Sequence, residues 1–177
     1  MTLTSKVLIV GEQPTEKHRF ATQPALGGRC ARRLVELMDL KDEAHLRELF
    51  DVENLIPQPL GYWPMDIVVR TLVAQLMEKS QADFLVLCGP RVQAAFQVQG
   101  NCEIVPVPML TRPTIAACIP HPHGRSKSWK DNGTTTRARY VLKIAREHAE
   151  GNDLYCTRHA QPWLQTVESK GYIQAWR

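Results

Sequence analysis

This chain lacks paired cysteines. Its five cysteines stand singly at 30, 88, 102, 118 and 156, with no Cys-x-x-Cys. That spacing argues against a disulfide framework and against a zinc knuckle, so no metal or other cofactor is expected. Three of the five lie in apolar strand-like or helix-like segments and read as reduced core thiols. No apolar run approaches the roughly 20 residues of a membrane span. One lysine followed by a short strand is not the pattern of a signal peptide, which makes a cytoplasmic setting the expectation. There are no repeats, low-complexity tracts or interdomain linkers. The charge excess is small, +4 from 22 basic and 18 acidic residues. It permits a polyanionic partner without requiring one.

What is present is ordinary globular material: 177 residues, 44% apolar and 23% charged, enough for one domain with a real core. Short apolar strands are expected at Val7 to Val10, Val52 to Ile56, Asp83 to Cys88 and Thr114 to Ile119. A possible edge strand runs from Glu103 to Val107, where Pro106 and Pro108 disfavour a central place. Helices are expected at about Arg29 to Leu40, from Asp42 as a cap to Phe50, at Asp66 to Lys79, at Arg91 to Val98 after Pro90, and at Thr134 to Glu150. The third of these should turn Ile67, Val68, Leu72 and Leu76 inward. Strands alternate with helices, and the strands are apolar throughout. The chain is therefore predicted to be one α/β domain, a three-layer α/β/α arrangement over a mostly parallel sheet of about four strands. Residues 151–177, with Trp163 and Trp176, read as a packed extension, and Phe96 as core.

Three remote segments share one design, an apolar strand running into a polar turn. They are Lys6 to Thr15 (Gly11-Glu12-Gln13-Pro14), Asp51 to Pro57 (Asn54-Leu55) and Thr114 to Gly124 (His121-Pro122-His123-Gly124). Ligands of open parallel sheets bind outside the carboxyl ends of the strands. The three turns should therefore bring Glu12, Asn54 and His121 to one edge.

The order of these motifs resembles the uracil-DNA glycosylase superfamily. Residues 7 to 140 carry Gly-Glu-x-Pro, a Pro-x-x-Gly loop into a helix, Asn-Leu at a strand end, Leu-Val-Leu-Cys-Gly89 with Ala94-Ala-Phe96, and His-Pro-x-Gly, separated by helix-sized gaps. The resemblance implies a glycosylase fold and hydrolysis of the bond between a flipped pyrimidine and its sugar. Glu12 would then position water, with Gln13 at the base and Asn54 reading the pyrimidine edge. His121 would stabilise charge on the departing base, and the loop after it would wedge into the duplex. The family's stacking aromatic has no counterpart in Pro24-Ala25-Leu26-Gly27, leaving Phe20 or Tyr62 as substitutes. His123 replaces the usual serine after His-Pro, and iron–sulfur cysteines are not recognisable. A pocket without the usual ring suits a bulkier, modified pyrimidine.

Cleaving an N-glycosidic bond generates an oxocarbenium-like sugar and an anionic base. The residue types fit: a carboxylate for water and the positive sugar, an imidazole donor for the developing oxyanion, and an amide that distinguishes pyrimidine edges. Duplex DNA, or a single strand, is the expected partner of a monomer, the base being extruded at a cost of a few kcal/mol. His123, Gly124, Arg125, Ser126, Lys127 and Trp129, with Lys130 beyond them, supply cations for phosphates and a ring for the emptied stack. Thr134, opening a helix, adds a possible phosphate contact and reads as its N-cap.

Each residue also has a plainer reading. Glu12 can cap a turn, and Asn54 at a strand end can stabilise one. His121 and His123 lack sequence-adjacent acidic or cysteine partners for a metal. The cations after His123 can be a solvated loop. Two other functions remain open: a nucleic-acid-binding module without chemistry on the same fold, and a hydrolase of free nucleotides or nucleosides.

Overall fold

Complete apolar composition marks β1 (Val7–Gly11), β3 (Phe84–Cys88) and β5 (Ile115–Ile119), whose side chains are nearly all sealed from solvent. A strand reads this way when helices cover both of its faces. In the computed structural model, which describes residues 6–13, 24–58, 60, 62–110, 112–123 and 127–152, the sheet has five strands in the order β2-β1-β3-β5-β4. β2 (Asp51–Asn54), β1, β3 and β5 run parallel, and β4 (Glu103–Pro106) closes one edge antiparallel to β5. The expected edge strand is thus a fifth member of the sheet, with Pro106 opposite Ile115.

Side chains of a strand alternate between faces, and two cores result. On one face Val7, Ile9, Phe84, Val86 and Ile119 pack with α1 (Arg29–Met38), α2 (Glu43–Leu49) and α5 (Asn132–Ala149). On the other, Leu8, Val10, Leu85, Leu87 and Phe96 pack with α3 (Asp66–Lys79) and α4 (Pro90–Ala95). Burying each such Leu, Ile or Phe contributes roughly 1.5–3 kcal/mol. The result is a three-layer α/β/α arrangement. The four described cysteines, Cys30, Cys88, Cys102 and Cys118, are buried and free, as expected of core thiols. Burial pushes the Cys118 thiol up to about 12. No described helix is long and apolar enough to cross a membrane.

Helix ends follow local chemistry. Asp42 caps α2 by accepting from the His45 N–H at 2.9 Å, and Pro90 opens α4. The end of α1 is held from a distance: Arg146 of α5 donates to the carbonyls of Met38 and Asp39 at 3.1 and 2.8 Å.

Two expectations need correction. α3 turns Val69 and Val73 into the core, with Leu72 and Leu76 partly covered, and leaves Ile67 and Val68 exposed. That helix is apolar around much of its first two turns, so its sequence does not single out a face; its packing on the sheet does. The N-cap of α5 is Asp131, not Thr134, because Asp131 accepts from the Gly133 N–H at 3.1 Å. Residues 153–177, with Trp163 and Trp176, lie outside the described residues, as do Phe20, Gly124, Arg125 and Ser126.

Candidate active site at the carboxyl edge

The parallel strands end together. Gly11 pairs with Asn54 in register, and Cys88 with Ile119, so the turns after β1, β2, β3 and β5 emerge along one edge. The backbone ladder continues beyond the strands: the Leu55 and Ile56 N–H groups donate to the Gly11 and Glu12 carbonyls, each at 2.9 Å. On the other side of β3, the Ile119 carbonyl accepts from both the Gly89 N–H (2.9 Å) and the Gln93 side-chain amide (3.1 Å). The backbones leading to Glu12 and His121 are therefore fixed before either side chain is considered.

Gly89 is where those side chains meet. A methyl group built at Gly89 would stand 3.2 Å from Glu12 Oε1, 3.2 Å from His121 Cβ and 3.6 Å from His121 Cδ2. The residue has φ of +100°, a conformation that only glycine adopts without strain. Glycine thus serves twice here, allowing the turn and leaving room for an acid and an imidazole on either side.

Glu12 is largely shielded, its side chain 20% exposed. Burial raises its carboxyl above the ordinary range, while the Arg91 guanidinium, 3.9 Å away, opposes that rise. The His121 imidazole is held below its ordinary pKa, first by burial and then by the nearby His123. The backbone N–H of His123 donates to His121 Nδ1 at 3.2 Å. In the neutral ring the proton must then reside on Nε2. Cδ2, the ring atom near Gly89, is bonded to Nε2, so the N–H of the neutral ring adjoins the edge that borders Gly89.

The remaining expected residues divide. Asn54 lies at the same edge, but its amide oxygen approaches Gly11: a methyl there would be 2.7 Å from Asn54 Oδ1 and 2.6 Å from Leu26. Leu26, buried and with φ of +51°, covers that spot. Backbone of this kind costs about 1–3 kcal/mol at a non-glycine residue and clusters at functional sites. Asn54 also lines a groove of about 200 Å³ against α3 with Glu53, Leu72 and Lys79, whose walls include neither Glu12 nor His121. Gln13 Oε1 accepts from the Leu60 N–H at 3.2 Å, which ties the β2–α3 connection to the β1 turn. On that connection Tyr62 is 66% exposed, beside the solvent-facing Leu60 and Met65.

Two expected DNA contacts, Thr134 and Trp129, have intramolecular partners. The Thr134 hydroxyl donates to Asp131 at 3.0 Å and the residue is 1% exposed, so it is withdrawn from any phosphate. Trp129, in a short 3₁₀ turn (Lys127–Lys130), is part-buried; its indole N–H donates to the His121 carbonyl at 2.9 Å, and Arg33 lies over its ring at 4.7 Å. The indole thus ties the 3₁₀ turn to the histidine loop. Lys127 and Lys130 are exposed, and His123 is half-buried with its ring 6.4 Å from that of His121. Among the described residues, no group of three or more His, Cys, Asp or Glu could hold a metal ion.

Sequence reasoning missed Arg91, 3.9 Å from Glu12, and Trp63, whose ring lies 5.8 Å from the Arg91 guanidinium. The available signal was position: Arg91 follows the Gly89-Pro90 turn, the one strand end to which no chemistry was assigned. No protein-family model matches the chain, and no curated protein is similar to it.

Proposed function

We propose that this chain is a DNA glycosylase that hydrolyses the bond between deoxyribose and a flipped uracil or modified pyrimidine. The observation that carries the reading is the meeting of Glu12 and His121 at Gly89, with the imidazole neutral and its Nδ1 already occupied. Water held by Glu12 attacks C1′ of the sugar. The C1′–O bond forms as the C1′–N bond breaks, and the bonding pair departs with the base. Charge developing on the base's carbonyl oxygen meets the Nε2–H of His121, a donor of the kind often worth roughly 3–4 kcal/mol. The proton of the water passes to Glu12, whose raised pKa brings it nearer the pH at which a general base works best. The released base then takes a proton from solvent.

Leu26 over Gly11, where an aromatic ring would be expected, supports the bulkier end of the substrate range. The test is incubation with DNAs carrying uracil, hydroxymethylated and glycosylated pyrimidines, followed by alkaline cleavage and mass analysis of released base. Release from at least one member is expected, slowed by about 10²–10³-fold in His121→Ala. No release from any member overturns the reading.

A further inference from the structure

Arg91 has no assigned task, yet among the described residues it is the cation that faces Glu12. Its guanidinium is 3.9 Å from Oε2, too long for a firm hydrogen bond. Its side chain is 58% exposed, whereas that of Glu12 is 20% exposed. One flank of the guanidinium rests on the Trp63 ring at 5.8 Å. The group therefore touches the buried carboxylate at one end and open solvent at the other, on a stem that a ring helps to align. Such an arginine is well suited to bind phosphate, since its planar fork matches two oxygens at once.

We propose that Arg91 is a positioning residue that couples DNA binding to the release of Glu12: in the free protein it leans on the carboxylate, and a backbone phosphate beside the target nucleotide draws it away. The inference rests on the glycosylase reading above. Among the described residues, the groups facing Glu12 are few: Arg91 from α4, His121 from the turn after β5, and the Cys88 thiol at the end of β3. The thiol is driven far above its ordinary range by burial and stays neutral, and the imidazole is neutral, so Arg91 supplies the only cation in that set. When it swings to phosphate, Glu12 is left more basic at the moment water must be deprotonated. A protein without DNA, conversely, keeps its base quenched.

Two readouts separate this from a merely structural arginine. Binding to a duplex containing a tetrahydrofuran abasic site is followed by anisotropy across a salt series for wild type, Arg91→Gln, Arg91→Lys and the distant control Lys143→Gln. Arg91→Gln should reduce the slope of log K against log salt by about 1, Arg91→Lys should retain most of it, and Lys143→Gln should leave it unchanged. The acid limb of kcat/KM reports the free enzyme and that of kcat the bound complex. In wild type the kcat limb should lie at higher pH than the kcat/KM limb. In Arg91→Gln the kcat/KM limb should rise to meet it. An unchanged salt slope in Arg91→Gln, or coincident limbs in wild type, overturns the proposal while base release by wild type leaves the glycosylase reading standing. Absence of base release by wild type, with the salt slope still falling in Arg91→Gln, sinks the glycosylase reading and keeps Arg91 as a phosphate contact only.

Discussion

Two histidines mark opposite ends of the same sheet and live in opposite electrostatic settings. His148, near the end of α5, reaches the amino edge, where its Nε2 lies 2.7 Å from Asp83 Oδ1 and its ring is 5.6 Å from that of Phe84. Hydrogen bonding from His148 holds Asp83 below the ordinary carboxylate range. His121, at the carboxyl edge, is partly buried with a second histidine beside it, and Glu12, which meets it at Gly89, is itself pushed towards neutrality by burial. One end of the sheet satisfies its charges; the other leaves them unfavourable. Matched partners favour stability, and unmatched ones of this kind are what the proposed chemistry requires.

Breaking that contrast should produce its largest effect at the carboxyl edge. Glu12→Gln and His121→Ala should each lower single-turnover base release by about 10²–10³-fold, the size expected for loss of one group acting on the transition state. Next in size is Gly89→Ala. It combines the cost of φ of +100° with 3.2 Å approaches to both side chains. A loss of about 1–3 kcal/mol in urea unfolding is expected, together with impaired activity. His148→Ala comes third: a loss of about 1–2 kcal/mol, discounted because Asp83 is half exposed, with base release unchanged.

Smaller effects sharpen the comparison through pH. The folded pKa of Asp83 is depressed, so its contribution to stability is present above the unfolded pKa and lost as pH falls through the folded one. Glu12 has the opposite sign: its folded pKa is raised, so ionised Glu12 is destabilising once pH rises through that value. Glu12→Gln should therefore raise the melting temperature at neutral pH even as it lowers activity. His121, with its depressed pKa, adds stability above its unfolded pKa that is lost as pH falls towards the folded value.

How much of this could be read beforehand depended on how local each cause was. The central strands were legible because burial on both faces leaves a continuous apolar run. The meeting of Glu12 and His121 was legible because parallel strands must end along one edge. The inward face of α3 was not, since Ile67 and Val68 are as apolar as Val69 and Val73 and only docking on the sheet distinguishes them. Thr134 misled because Asp131, three residues earlier, had already taken the capping position and the hydroxyl with it. Trp129 has a partner the sequence does not show: a part-buried indole N–H needs an acceptor, and the His121 carbonyl is that acceptor. Arg91 acquires meaning only through the turn that folds it back over Glu12.

The most direct measurement is base release from the preferred modified-pyrimidine duplex, run side by side for wild type, Glu12→Gln, His121→Ala and His148→Ala. Full rates for wild type and His148→Ala, with a loss of about 100-fold or more in the other two, is the predicted result. Equal rates in all four proteins, or a loss in His148→Ala as deep as in His121→Ala at a temperature where both remain folded, would contradict it.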